Sequence, residues 1–206
     1  RAMEIKNNMD SRLISEKIIA SRRGLAPEGG YIMPRDQAAE GGCGVIGMAA
    51  NVQIAASHML ESLKQMRNRG NGKGGGIAAV GLVPEEFGVS QEVMLNDYLL
   101  AVAYLDGSVR ETLEGEYIDS VFDVDHIYHQ PHLDDFHQID ELDVRPPEVV
   151  LYFVRPREAA VQAFMAENGM QDTARRKVED ELVYQNTYKL NVAYYQSTGE
   201  KQAFVL

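Results

Sequence analysis

The chain has 206 residues, of which 45% are apolar and 25% charged, and it carries a net charge of −11. That is a globular mixture, long enough to bury a core, and it excludes whole-chain disorder, a collagen-like repeat and a disulfide-rich scaffold. Apolar runs such as Tyr98–Leu105 fall far short of the ~20 residues of a membrane helix, no secretory signal pattern is read, and the acidic balance argues against a nucleic-acid partner. A single cysteine rules out an internal disulfide and suits a reducing cytoplasm. By composition alone it would be a small buried hydrophobe.

The charge is uneven. Residues 1–42 hold 7 bases and 6 acids, whereas Glu85–Asp143 holds 16 acids and one base, Arg110. In the leader, Leu13, Ile14, Ile18 and Ile19 predict a helix over Ser11–Arg23, stopped by Gly24–Gly30. From Cys43 onward the pattern reads as α/β. Cys43–Ala49 is expected to be a short buried strand. Ile54–Arg67 is expected to be a helix with Ala56, Met59, Leu60, Leu63 and Met66 on one face. The glycine-rich run Gly70–Gly76 leads to an expected strand over Ile77–Val83. Tyr98–Leu105 predicts a strand, and Asp106 caps a helix running to about Ser120. Val149–Val154 predicts another strand. A helix then begins at Pro156 and stops at Asn168-Gly169. Asp172–Tyr184 is expected to be helical, and Tyr188–Tyr195 with Gln202–Leu206 a closing hairpin turned by Ser197–Glu200.

Three pieces of sequence stand together. Gly41-Gly42-Cys43-Gly44-Val45-Ile46-Gly47 sets the cysteine where a glycine loop becomes an extended segment. The following helix ends in Met66-Arg67-Asn68-Arg69-Gly70, and Gly74-Gly75-Gly76-Ile77 closes the constellation. This segment resembles the N-terminal region of class II glutamine amidotransferases, the cysteine-type N-terminal nucleophile hydrolases. The amidotransferase portion of glutamate synthases is the most similar branch. The specific matches cover about residues 42–80.

The resemblance implies a four-layer αββα sandwich over residues 43–206, preceded by a leader over 1–42 whose removal exposes Cys43. It implies that Cys43 is the nucleophile. Arg69, with Gly70, Gly75 and Gly76, would bind glutamine. Arg67 competes with Arg69 for the substrate carboxylate. The freed α-amine of Cys43, with a reference pKa near ~8, would act as general base, and a guanidinium suits a carboxylate better than an ammonium does. The product ammonia would pass to a synthase domain or subunit. Flavin mononucleotide and iron–sulfur clusters belong to that partner, and no cofactor is expected in this chain. The family's oxyanion-hole Asn-Gly is not carried onto Asn168-Gly169, which reads as a helix stop. That element is expected beyond a hairpin like Tyr188–Leu206, so the domain is expected to be incomplete at its C-terminal end.

Two further functional readings accompany this one. The chain could be an unprocessed, non-catalytic module that packs on a partner. It could also be a metal-binding regulatory domain, because His126, His129, His132 and His137 lie among Asp123, Asp125, Asp134 and Asp135. A solvated acidic loop is the plainer reading of that cluster, with a pH-sensitive contact as a further alternative. Arg155 and Arg157 read as solvated surface or caps.

Overall fold

The structure, a computed structural model, describes residues 2–25, 44–66, 76–131, 135–139, 145–195 and 199–206. About half of it is helical, and its one named sheet has four antiparallel strands. The chain divides into two units, one of residues 1–30, 83–132 and 147–206, the other of residues 31–82 and 133–146.

The first unit holds the sheet. Its strands are β1 (Tyr98–Tyr104), β2 (Phe122–His129), β3 (Glu148–Pro156) and β4 (Ala203–Val205), in the order β2-β3-β1-β4. β1 and β3 are the two expected strands and pair along their length, from Tyr98 opposite Val154 to Tyr104 opposite Glu148. Both are apolar at nearly every position, the signature of strands flanked by neighbours and half-covered on each face. One face carries Leu100, Val102, Tyr104, Val150, Tyr152 and Val154, all buried, with Phe122, Leu113, Ile118 and Leu190 packed on them. Burying each large apolar side chain stabilises the fold by about 1.5–3 kcal/mol. Polar atoms on this face are paired: the Tyr104 and Tyr152 hydroxyls lie 2.8 Å apart, and Tyr152 donates to Glu114 at 2.6 Å. Arg110 Nε donates to the same Glu114 oxygen at 2.8 Å, so the buried hydroxyls have partners. Burial pushes the Tyr104 phenol up to about 12.

The helices of this unit follow local signals. The Asp106 carboxylate accepts from the Ser108 amide, as a cap should, and opens a short turn into α5 (Arg110–Leu113) and a π-helical turn over Glu114–Asp119. The helix α6 (Glu158–Asn168) begins two residues after Pro156 and ends at Gly169, whose φ of +61° is the left-handed conformation glycine adopts freely. The short helices α3 (Pro84–Phe87) and α4 (Gln91–Asn96) precede β1. The leader forms α1 (Ala2–Ser21), longer than the expected Ser11–Arg23, followed by a 3-10 turn over Arg23–Leu25.

Two expectations in this unit are corrected. The segment Tyr188–Tyr195 is not a strand: it completes α7 (Arg175–Tyr194), which overruns the expected Asp172–Tyr184 by ten residues. Its buried positions are Val178, Glu181, Leu182, Gln185, Asn186 and Leu190, one helical face of which half is polar. Apolar periodicity therefore faded while the helix went on. Of the proposed hairpin there remain an antiparallel bridge between Tyr195 and Lys201 and the strand β4, Ala203–Val205, which pairs with β1. Second, Phe122–His129 is a strand and not a solvated loop. Phe122 and Val124 face the core, and a bulge between Val124 and His126 shifts the register against β3.

In the second unit, α2 (Ser57–Lys64) lies inside the expected Ile54–Arg67, with Met59, Leu60, Leu63 and Met66 half-buried; Ala56, expected on the same face, is exposed at the N-cap. Residues 44–49 and 77–83 do not form the expected strands. Val45 is 86% exposed and Val80 98% exposed, so neither aliphatic run is buried. A strand is stable only when its amides and carbonyls find a neighbour and its side chains a face. Gly44 and Gly47, and Gly81 with φ of +72°, further weaken extended pairing.

Candidate active site

The residues expected to carry the chemistry fall at the margin of what the structure describes. Cys43, Arg69, Gly70 and Gly75 lie outside the described residues, as does the competing Arg67. Gly76 is described: it is exposed, and the space around its Cα is open.

The described flanks of this motif nevertheless meet. Gly44 follows Cys43 in sequence, and Met66 directly precedes Arg67 at the end of α2. A β-carbon placed on Gly44 would lie 2.8 Å from both Cβ and Sδ of Met66. Only glycine fits this approach without displacing the methionine stem. The glycine after the cysteine and the residue that introduces Arg67-Asn68-Arg69 are thus packed together, although 22 positions separate them.

The described histidines of the cluster sit on two separate elements. His126 and His129 are three residues apart on β2 and so project to opposite faces. His126 is half-buried 6.0 Å from the Phe153 ring and close to Gly88, whereas His129 is exposed at the strand end. His137 sits in a 3-10 turn of the other unit, its ring 4.0 Å from that of Phe136 and its amide capped by Asp135. His132 and Asp134 lie outside the described residues. Among the described residues no group of three His, Cys, Asp or Glu side chains is placed to hold a metal ion.

The acids that flanked those histidines have other partners. Arg155 grips Asp125 with two hydrogen bonds of 2.6 and 2.7 Å, and Arg157 meets Asp123 at 3.1 Å. The two arginines are exposed, as expected, and Arg157 stands at the N-cap of α6; both also pair across the strands with these acids. Arg155 also lies 3.9 Å from Asp97, whose side chain is only 2% exposed. Burial, with Asp125 next to it, pushes the Asp97 carboxyl up to about 6, while the Arg155 guanidinium holds Asp125 below its ordinary range. Sequence reading missed this trio because Asp97, Asp125 and Arg155 come from three separate segments. The only local signal was an acid at the mouth of a strand.

A polar cleft of about 400 Å³ lies beside this trio, lined by Asn96, Tyr98, Asp123, Arg155, Arg175 and Glu179 among others. Its cations are already matched: Arg175 bonds Glu158 at 2.6 Å and Glu179 at 2.5 Å. Comparison of the chain with protein-family models, with curated proteins and with solved structures gives no match.

Proposed function

We propose that this protein is a glutamine amidotransferase domain or subunit of the class II, N-terminal nucleophile type, acting in the cytoplasm. The observation that carries the reading is the seating of Gly44 on Met66. It draws the chain after the cysteine and the chain before the arginine-bearing motif to one place, as a nucleophile and a carboxylate anchor acting on one small substrate require. The mixed fold with an antiparallel sheet supports the αββα assignment.

In this reading the leader is cut before Cys43, and the new α-amine takes the thiol proton. The thiolate attacks the side-chain carbonyl carbon of glutamine, and the tetrahedral intermediate collapses with loss of the protonated nitrogen as ammonia. Water then attacks the thioester, releasing glutamate and restoring the thiol. Arg69, or Arg67 in its place, holds the substrate's α-carboxylate by paired hydrogen bonds. The ammonia is consumed by a synthase partner, as in glutamate synthesis, and any flavin or iron–sulfur chemistry resides there.

The test is Cys43→Ala in the processed protein. Glutaminase activity is expected to fall at least about a thousandfold with the melting temperature unchanged. Unchanged activity overturns the proposal.

The docking of α1 on the sheet-bearing unit favours a second reading, in which the leader stays attached and the chain serves as a non-catalytic module. Intact-mass spectrometry separates the two: loss of residues 1–42 supports the enzyme, and an intact leader supports the module.

A further inference from the structure

The leader meets α7 through a built contact. Arg22, just past the end of α1, donates from Nε and Nη2 to the two Glu181 oxygens at 2.7 and 2.6 Å. The Glu181 side chain is 4% exposed. The Arg22 guanidinium also lies 4.1 Å from the centre of the Tyr184 ring. Gln185 bridges the pair to the helix, donating to Ser21 Oγ at 2.8 Å and to Glu181 at 2.9 Å. One turn on, the Tyr188 hydroxyl donates to the Leu25 carbonyl at 3.4 Å. Beneath these contacts Ile18 packs on the apolar cluster that includes Phe164, Val178 and Leu182 of α6 and α7.

The spacing explains why this is a recognition surface. Residues 181, 184, 185 and 188 fall on one stripe of α7. That stripe is polar where an amphipathic helix would be apolar. A carboxylate buried there is costly unless a cation and further donors meet it, and Arg22 and Gln185 do so. The cation comes from a segment 159 positions away in sequence, so α7 is built to receive a particular partner. The surface is also concave: a cleft of about 170 Å³ between α6 and α7 shares Phe164, Leu182 and Gln185 with this contact.

We infer that the α6–α7 face is a docking site for residues 11–25, and that it retains this segment as a bound peptide once the chain is cut between residues 26 and 42. The Arg22–Glu181 pair is the latch. The inference does not depend on the amidotransferase reading, since it concerns holding and not chemistry.

The test uses the full chain with a protease recognition sequence inserted between Pro27 and Glu28. After cutting, size-exclusion chromatography at about 10 µM and physiological salt should find the leader fragment co-eluting with the remainder. Arg22→Ala should lower its retention about tenfold, and the reversal Arg22→Glu with Glu181→Arg should restore it. A readout that needs no cut is hydrogen exchange of the Ser11–Ser21 amides in the intact chain, about tenfold faster in Arg22→Ala and slowed again in the double reversal. Separation of the wild-type fragments, or equal retention and equal exchange in Arg22→Ala, overturns the inference.

Discussion

The sheet-bearing unit and the cysteine-motif segment are built on opposite principles. In the first, Val102, Phe122, Val150, Val154 and Leu113 are fully buried, and the buried hydroxyls of Tyr104 and Tyr152 are paired. In the second, Val45 and Val80 stand in solvent, and the backbone of Gly44 comes too near the Met66 stem to carry a side chain. One region is held by buried area, the other by close approach at a point. Stability and chemistry should therefore respond to different substitutions, and four of these test the contrast.

The largest effect is expected in the sheet. Phe122→Ala removes a fully buried ring from the core and should cost about 3–5 kcal/mol in denaturant unfolding. A loss under about 1 kcal/mol would show that the core does not rest on β2. Next comes Gly44→Ala, which drives a methyl into Met66. A displacement of this kind beside a reacting group costs up to about a hundredfold in kcat/KM. Under the proposed amidotransferase reading, a loss of that order is expected in glutaminase assays, with little change in melting temperature. Equal damage to both would make Gly44 a folding residue and erase the distinction.

Smaller effects lie in the electrostatics. The Asp97 carboxyl titrates near 6 in the folded protein against 3.8 ordinarily, so between these values the folded state holds a proton that the unfolded state has released. Stability therefore falls as pH rises through this window, and the penalty is complete above about pH 6. Asp97→Asn keeps the shape and removes the charge. It should stabilise the protein by about 1–2 kcal/mol at pH 8 and by nearly nothing at pH 4, as read from urea midpoints at the two pH values. A pH-independent gain would exclude Asp97 as its source. The smallest effect is Gly169→Ala, about 1 kcal/mol, because alanine must adopt the positive φ that ends α6.

The legible elements were those whose signal is local. β1 and β3 announced themselves as apolar runs, Asp106 as a cap, and Asn168-Gly169 as a stop, and each stands where expected. The second half of α7 was illegible because its inner face opens on Gln185 and Asn186, whose partners, Ser21 and the Tyr117 carbonyl, come from elsewhere. β2 was hidden by its own bulge, which breaks the alternation of Phe122 and Val124 at Asp125. Of the candidate site, the constellation of Cys43, Arg69 and the glycines was visible as residue types at a spacing. The meeting of Gly44 with Met66 was not, because a contact between two loop margins leaves no periodicity.

By itself the sequence determined the strong strands, the helix caps and stops, the acidic middle and the residues on which the proposed chemistry rests, because propensity, capping and residue type act within a few positions. Only the tertiary structure decided which polar residues are buried, that α1 is latched by Arg22 to Glu181, and that Arg155 gathers Asp97 and Asp125. A buried charge is tolerable only beside its partner, and the partner's place is set by the fold.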